Sequence, residues 1–227
     1  TSRAKVVTRA QEPKLYGMVE RIATSNGLPM PKVAIMNTAV PNAFATGKNK
    51  KSSVVAVTTG LMDVLSDEEM EGVIAHELAH IKHRDVLVLT LASLFSTVAY
   101  FLMHYALFGS IYGRSRDGSM ILVLVVAGVT WFVSFIIIRA ISRYREFAAD
   151  RGGAQMTGKP EGLASALVKI SGSMRRVPQR QLRDVESLNA FFIIPALSGD
   201  TLSRLFSTHP PVEERVRRLR EMASVLG

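Results

Sequence analysis

The sequence predicts a mainly α-helical protein with a small β-sheet, an α+β fold, into which a hairpin of two apolar helices is inserted. Three observations support this prediction. Residues 86–108 and 120–138 contain no Asp, Glu, Lys or Arg, and both come close to the roughly 20 apolar residues that a transmembrane helix needs. Apolar side chains recur at helical spacing on both sides of this hairpin. Two short runs, at 32–36 and 53–59, have the composition of strands.

The first half of the chain combines helices and strands. Residues 15–26 place apolar side chains on one helical face and are followed by Gly27, a typical helix end. The two strand candidates come next. Ser66-Asp67-Glu68-Glu69 matches a capping box, which predicts that a helix begins there. We expect this helix to run without a break into the first apolar helix.

The second half of the chain is predicted to be helical. The second apolar helix is expected to continue through Asp150, and Gly152 and Gly153 weaken the helix beyond that point. Further helices are expected at residues 161–171 and 212–225, the last of them opened by Pro211. The predicted segments are two halves of one domain at residues 1–85 and 139–227, and the inserted hairpin at 86–138.

The charge of the chain points to a membrane surface rather than to nucleic acid. The net charge is +9, with a pI near 10.1. The basic residues form no nucleic-acid-binding motif, and many flank the apolar helices. By the positive-inside rule the two large ends are cytoplasmic, so a lipid bilayer is an expected partner and nucleic acid is not. The flanking residues are Lys82, Arg84, Arg139, Arg143 and Arg145.

The pattern His76-Glu77-Leu78-Ala79-His80 reads H-E-x-x-H. On a helix, residues four apart share a face, so both imidazoles can reach one metal ion, and Glu77 lies beside the coordination position of a bound water. The chain has five histidines and no cysteine, so any zinc must use His and carboxylate ligands. The alternative is an ordinary helix with two surface histidines and a solvated glutamate.

Glu146 is the best candidate for a third ligand. It lies four residues before Asp150, so one carboxylate can bind the metal while the other accepts a hydrogen bond from a ligand imidazole. His80 precedes the first apolar helix, and Glu146 follows the second, by about two helical turns each. An antiparallel hairpin would therefore bring both to the same side of the membrane. A solvated pair of acidic residues is the alternative.

Two histidines outside the motif have other expected roles. A metzincin would continue the motif with Gly and then His, but His83 and Val86 occupy those places, which excludes that class. His83 is treated as a surface residue, with metal binding as the alternative. His104 lies within the first apolar helix, near the far end, and is expected to reach the interface; a functional group inside the membrane is the alternative.

Four segments resemble the HtpX-type membrane zinc metalloproteases, which are bacterial and archaeal relatives of the CAAX prenyl proteases. They occur in the order found in that family, over a match from about Leu15 to the C-terminal helix. Members usually carry two further spans at the N-terminus, so we expect this chain to be a truncated or processed form. The segments are Asn42-Ala43-Phe44-Ala45-Thr46-Gly47, His76-Glu77-Leu78-Ala79-His80, Glu146-Phe147-Ala148-Ala149-Asp150 and Ser207-Thr208-His209-Pro210-Pro211 with Arg215.

The resemblance implies a gluzincin-like domain and a multi-pass endopeptidase of the inner or plasma membrane, with its active site on the cytoplasmic side. It would degrade misfolded membrane proteins in quality control under stress, and it allows other membrane quality-control proteases as partners. One zinc ion per chain is implied, with His76, His80 and Glu146 as ligands. Glu77 would be the catalytic carboxylate, taking a proton from water and delivering it to the leaving amine.

Four further roles are hypotheses. His209 is a candidate donor to the oxyanion of the tetrahedral intermediate, or a turn histidine before two prolines. Asp150 would orient one of the two histidines, and Arg215 would pair with Asp150, support the oxyanion, or be solvated. The segment Asn42, Ala43, Phe44 and Ala45 is either an edge strand that receives an extended peptide substrate by β-addition, or a turn and core strand with Phe44 packed inside.

Two other function classes remain open at the level of sequence. The first is a selective CAAX-type prenyl-protein protease with the same zinc chemistry, which would need a larger intramembrane chamber than two spans provide. The second is a catalytically silent membrane scaffold. The presence of Glu77 argues against a scaffold, because a silent site has no need of a base beside the metal.

Overall fold

The structure is a computed structural model that describes residues 4–47, 49–111, 118–178, 180, 182 and 210–226. It divides into two compact units. The first, which we call the α+β unit, comprises Thr1–Val86 and Arg143–Gly227. The second, the apolar unit, comprises Leu87–Ser142.

The α+β unit contains a four-stranded mixed sheet. The strands are β1 (Ala4–Val7), β2 (Lys32–Met36), β3 (Ala43–Thr46) and β4 (Val54–Thr58), in the order β1-β2-β4-β3. The central pair, β2 and β4, is parallel, and each outer strand pairs antiparallel with its neighbour. The predicted strands therefore form the centre of the sheet. Strand β3 lies at one edge.

Seven helices complete the described chain. They are α1 (Pro13–Ser25), α2 (Thr59–Val64), α3 (Asp67–His83), α4 (Asp85–Ile111), α5 (Gly118–Thr157), α6 (Pro160–Met174) and α7 (Val212–Leu226), and a short 3₁₀ turn lies at Lys50–Ser52. Within the α+β unit, α1 and α3 pack together and α6 contacts both α3 and α7. The apolar side chains of these helices and of the sheet form one core, which includes Val19, Val33, Ala56, Leu61, Ile74, Leu163, Leu167 and Leu219.

Helix α3 begins as the sequence predicts. The Ser66 hydroxyl accepts a hydrogen bond from the Glu69 amide, and the Glu69 carboxylate accepts one from the Ser66 amide at 2.8 Å, which completes the capping box. The expected continuation into the first apolar helix is wrong. Arg84 adopts a left-handed conformation (φ 58°, ψ 41°) and ends α3, and α4 begins at Asp85.

Helix α5 continues without interruption past Asp150 to Thr157. Gly152 and Gly153 do not break it; they allow it to approach α3 closely. A Cβ atom at Gly153 would lie 2.8 Å from the His76 amide nitrogen, and one at Gly152 would lie 3.0 Å from the Ala79 Cβ. The two glycines therefore set the distance at which Glu146 and Asp150 meet the H-E-x-x-H helix.

The apolar unit consists of most of α4 and the first part of α5. By length and composition, α4 and α5 are two helices that can cross a membrane. Large apolar side chains are exposed along both, including Leu91, Leu94, Phe101, Leu122, Val129 and Phe132. Exposed apolar surface of this extent is typical of helices that contact lipid or another protein.

Candidate metal centre and active site

Three predicted ligands converge in the α+β unit. Ligand atoms of His76, His80 and Glu146 all lie within 4.8 Å of one another. The two histidine Nε2 atoms are 3.1 Å apart, and the Glu146 carboxylate oxygens lie 3.7 Å from His76 Nε2 and 3.6 Å from His80 Nε2. Two imidazole nitrogens and one carboxylate oxygen are a donor set that suits a divalent transition metal. The site fits a metal ion.

The first histidine is held by a carboxylate and an arginine. His76 Nδ1 lies 3.0 Å from Asp150 Oδ1, so the ring proton belongs on Nδ1 and Nε2 is left for the metal. Arg215 donates to both oxygens of Asp150, from Nε at 2.8 Å and from Nη2 at 2.7 Å. The Arg215 Nη1 also lies 3.4 Å from Glu146. Asp150 therefore faces His76, and Arg215 is buried beside it.

The second histidine has an equivalent arrangement that the sequence prediction missed. His80 Nδ1 hydrogen-bonds to Asp85 Oδ2, and Asp85 Oδ1 forms an ion pair with Arg145 Nε at 2.9 Å. The only sequence signal was an acidic residue at the start of an apolar segment. The contact could not be expected from sequence, because in the predicted continuous helix residue 85 would point away from the His80 ring.

Glu77 lies next to this cluster, and only 4% of its surface is exposed. Burial raises the pKa of its carboxyl group to about 7. The nearby His80 and Arg215 and a hydrogen bond from the Ala45 amide oppose that change. The carboxylate that the sequence identifies as a base is thus in contact with strand β3.

The histidines differ in their electrostatics. Burial lowers the pKa of His76, which favours the neutral imidazole that binds metal. Burial alone would lower the pKa of His80 as well, but the hydrogen bond to Asp85 and the charges of Glu146 and Glu77 raise it. Negative charge from carboxylates therefore surrounds His80, and a bound cation would compensate it.

Strand β3 carries the predicted substrate-binding segment. The Asn42 carbonyl accepts a hydrogen bond from the Thr58 amide at 2.9 Å, so Asn42 faces the neighbouring strand. By strand alternation the main-chain groups of Ala43 and Ala45 face the outer edge. The Phe44 side chain is buried in the core. In the described sheet β3 is therefore an edge strand with Phe44 packed inside, and its role in binding substrate stays a prediction.

Three histidines lie apart from this cluster or outside the described chain. His209 is outside the described residues, so its predicted role stays a prediction. In the described part of the chain the metal cluster comprises only His76, His80 and Glu146, so His83 does not join it. In the apolar unit the His104 ring stacks with Phe108 and makes an edge-on contact with Tyr100.

A fold that brings an H-E-x-x-H helix and a glutamate from a later helix into one candidate metal cluster, beside an edge strand, is typical of metalloproteases. The sequence model of Peptidase family M48 matches residues 9–223. The chain belongs to this family. The resemblance to HtpX-type proteases is confirmed by curated relatives that match nearly the whole chain.

Two of these relatives illustrate the match. The chain is 55% identical over 225 residues to "Protease HtpX homolog 2" of Methanosarcina mazei, covering 98% of this chain and 76% of the relative. It is 54% identical over 224 residues to "Protease HtpX homolog" of Moorella thermoacetica, covering 96% and 75%. The chain is therefore a membrane metalloprotease of the HtpX type.

A solved structure supports the fold. The crystal structure of S. mikatae Ste24p matches with a TM-score of 0.61 and 18% sequence identity, over 96% of this chain and 52% of Ste24p. The chain thus spans about half the length of Ste24p. At this identity the likeness concerns the fold alone.

Proposed function

We propose that the chain is a zinc endopeptidase in which His76, His80 and Glu146 hold the zinc. The convergence of these three donors carries the proposal. At metal–ligand distances of about 2.0–2.1 Å, two ligand atoms on a tetrahedral zinc lie about 3.3 Å apart. The donor atoms lie 3.1, 3.6 and 3.7 Å apart, so small movements would complete the site. The fourth coordination position is left for water.

The proposed reaction is hydrolysis of a peptide bond. When bound, zinc activates the water and polarises the scissile carbonyl. Glu77 takes the proton from the attacking water and delivers it to the leaving amine. Asp150 keeps His76 in the tautomer that binds through Nε2, and Arg215 holds Asp150. His209 remains a proposed donor to the oxyanion.

The proposed substrate is an extended, unfolded segment of a misfolded membrane protein. The outward main-chain groups of Ala43 and the carbonyl of Ala45 would pair with the substrate backbone, since the Ala45 amide already donates to Glu77, and Asn42 and Phe44 would hold the strand from behind. Such binding has little sequence preference, which suits quality control under stress. Other membrane quality-control proteases are proposed as partners.

The proposed location is the plasma membrane, crossed by α4 and α5, with the metal centre in the cytoplasm. The basic residues on both sides of the apolar unit support this orientation, since Lys82 and Arg84 precede it and Arg143 and Arg145 follow it. Nucleic acid is not a proposed partner.

The test is cleavage of an unfolded model protein by the full chain purified in detergent, compared with Glu77→Gln. We expect cleavage that a chelator abolishes, that added zinc restores, and that is absent from Glu77→Gln although this variant still binds zinc. Equal cleavage by Glu77→Gln would overturn the assignment of the base. Zinc binding without any cleavage by the wild type would favour the selective prenyl-protein protease.

A further inference from the structure

Asp85 is a buried carboxylate at the junction of α3 and α4. Its side chain is in contact with two partners, His80 through Oδ2 and Arg145 through Oδ1, and only 3% of the residue is exposed. A buried carboxylate is costly unless it is paired and hydrogen-bonded. A capping role for α4 alone would not require burial, because a carboxylate at a helix N-terminus also stabilises the helix when it is exposed at the surface.

The left-handed residue Arg84 is what brings Asp85 to His80. In a continuous helix, residues five apart lie about 140° apart around the axis, so residue 85 would face away from His80. A non-glycine residue in the left-handed region is energetically unfavourable. The chain adopts this conformation where it directs a carboxylate to the Nδ1 of a metal ligand.

Arg145 links the same carboxylate to the helix of the third ligand. Arg145 directly precedes Glu146 in α5, so Asp85 contacts one histidine ligand and the neighbour of the glutamate ligand. The result is a second chain of histidine, aspartate and arginine, His80-Asp85-Arg145, which has the same order as His76-Asp150-Arg215. Both place a carboxylate on Nδ1 and leave Nε2 toward the metal.

We propose that Asp85 is a positioning residue for the zinc site. It fixes the tautomer and ring orientation of His80, and Arg145 holds Asp85 in place. The identity of the metal rests on the proposed function. Carboxylates that orient histidine ligands contribute about 10–100-fold to metal affinity, so Asp85→Asn and Asp85→Ala should raise the zinc dissociation constant by about that factor.

The experiment measures zinc affinity of the full chain in detergent by competition with a chromophoric chelator. Asp67→Asn is the matched control, because Asp67 is also the first residue of a helix and forms an ion pair, with Lys14, but lies at the surface. We expect Asp67→Asn to leave the affinity unchanged. Arg145→Gln should weaken it in the same direction as Asp85→Asn, by a smaller factor.

A second readout separates positioning from a purely structural role. The visible absorption of the Co²⁺-substituted protein reports ligand geometry, so it should change in Asp85→Asn and not in Asp67→Asn. If Asp85→Asn lowers the unfolding temperature but leaves both zinc affinity and this spectrum as in the wild type, the inference is overturned.

Failure of this inference and failure of the proposed function are distinguishable. Zinc-dependent cleavage by the wild type, with unchanged zinc affinity in Asp85→Asn, overturns the role of Asp85 alone. Weakened zinc binding in Asp85→Asn, with no cleavage of the unfolded model protein by the wild type, supports that role and overturns the endopeptidase proposal. Glu77→Gln should lose cleavage but keep wild-type zinc affinity, which separates the base from the positioning residues.

Discussion

At the scale of single residues, the most consequential side chain outside the ligand set is Arg215. Two carboxylates four residues apart on one helix repel each other, and Arg215 contacts both, Asp150 by two hydrogen bonds and Glu146 at 3.4 Å. Only 1% of Arg215 is exposed. Its guanidinium therefore compensates the negative charge that Glu146 and Asp150 bring into the core.

Replacing this arginine should destabilise the metal-free protein. Arg215→Met leaves the Asp150 carboxylate buried without its cation, and the free energy of unfolding should fall by about 3–5 kcal/mol. Chemical denaturation of the detergent-solubilised chain measures this. Arg218→Met is the control, since Arg218 lies on the same helix and pairs with Glu214 at the surface; it should cost no more than about 1 kcal/mol. Similar losses in both variants would contradict the role of Arg215.

At the scale of elements, the site depends on how closely α5 approaches α3. The contact is made through glycine, because a Cβ at Gly153 would come within 3.0 Å of both the amide nitrogen and the Cα of His76. Helix–helix distance and ligand position are thus set by the same residue. The α3–α6 contact adds a second connection, in which Glu69 binds Ser165 and Lys169.

Enlarging Gly153 should disturb both stability and metal binding. Gly153→Ala forces the helices apart at His76, which should lower the free energy of unfolding by about 1–3 kcal/mol and weaken zinc binding. Gly172→Ala is the control, because a Cβ at Gly172 meets nothing within 4 Å. In a helix that change should stabilise by up to about 1 kcal/mol. Denaturation and zinc titration of the two variants provide the comparison.

Ionisation of the Glu69 carboxyl group should make the free energy of unfolding depend on pH in the acid range. Burial alone would raise the pKa of its carboxyl group, but hydrogen bonds from Lys169, Ser165 and Ser66 lower the pKa to about 2. Because the folded-state pKa lies below the unfolded value of 4.5, the stabilisation is fully present above about pH 4.5 and is lost as pH falls toward about 2. With Lys169 half exposed, it should amount to about 1–3 kcal/mol.

The measurement is the unfolding free energy of the metal-free chain from neutral to acid pH, for wild type and Glu69→Gln. The difference in unfolding free energy between wild type and Glu69→Gln should shrink as the pH falls from about 4.5 toward about 2. The matched control is Glu68→Gln, at the exposed preceding residue of the same helix. A difference for Glu69→Gln that stays constant with pH would refute the assignment.

Much of the site could be predicted from sequence because helical periodicity is local. The spacing of His76 and His80, and that of Glu146 and Asp150, fixes which side chains share a face. What could not be predicted depended on tertiary structure. Nothing in the sequence marks Arg84 as left-handed, since it is neither Gly nor Asn, so the break that brings Asp85 to His80 was missed.

The same reason explains two other differences. Gly153 weakens an isolated helix, and only the position of α3 shows that the missing Cβ is needed for close packing. Strand β1 was not predicted, because its sequence, Ala4–Val7, is short and gains its order from pairing with β2. Local signals thus identified the residues of the candidate metal cluster, whereas contacts between distant segments determined how these residues are held.

At the scale of the whole molecule, the apolar unit interrupts the α+β unit in sequence. The α+β unit ends its first part at Val86 and resumes at Arg143. His76 and His80 belong to the first part, and Glu146, Asp150 and Arg215 to the second. The metal centre is therefore built only when both parts fold together.

The orientation in the membrane can be tested directly, because the chain has no cysteine. Lys51→Cys places a unique thiol in the end of the chain that the positive-inside rule predicts to be cytoplasmic. Ser115→Cys places one between the two apolar segments in sequence, on the side expected to face outward. In intact cells a membrane-impermeant maleimide should label Ser115→Cys alone, and Lys51→Cys should react only after the membrane is opened. Labelling of Lys51→Cys in intact cells would reverse the orientation.

The divided origin of the metal centre has a consequence for biosynthesis. Synthesis runs from the N-terminus, so His76 and His80 are translated before either apolar helix. Glu146 and Asp150 follow both apolar helices, and Arg215 is translated later still. A nascent polypeptide therefore cannot assemble the hydrolytic centre until both apolar helices have been translated. The hydrolysis proposed above would therefore be withheld while the chain itself is still being translated and is unfolded.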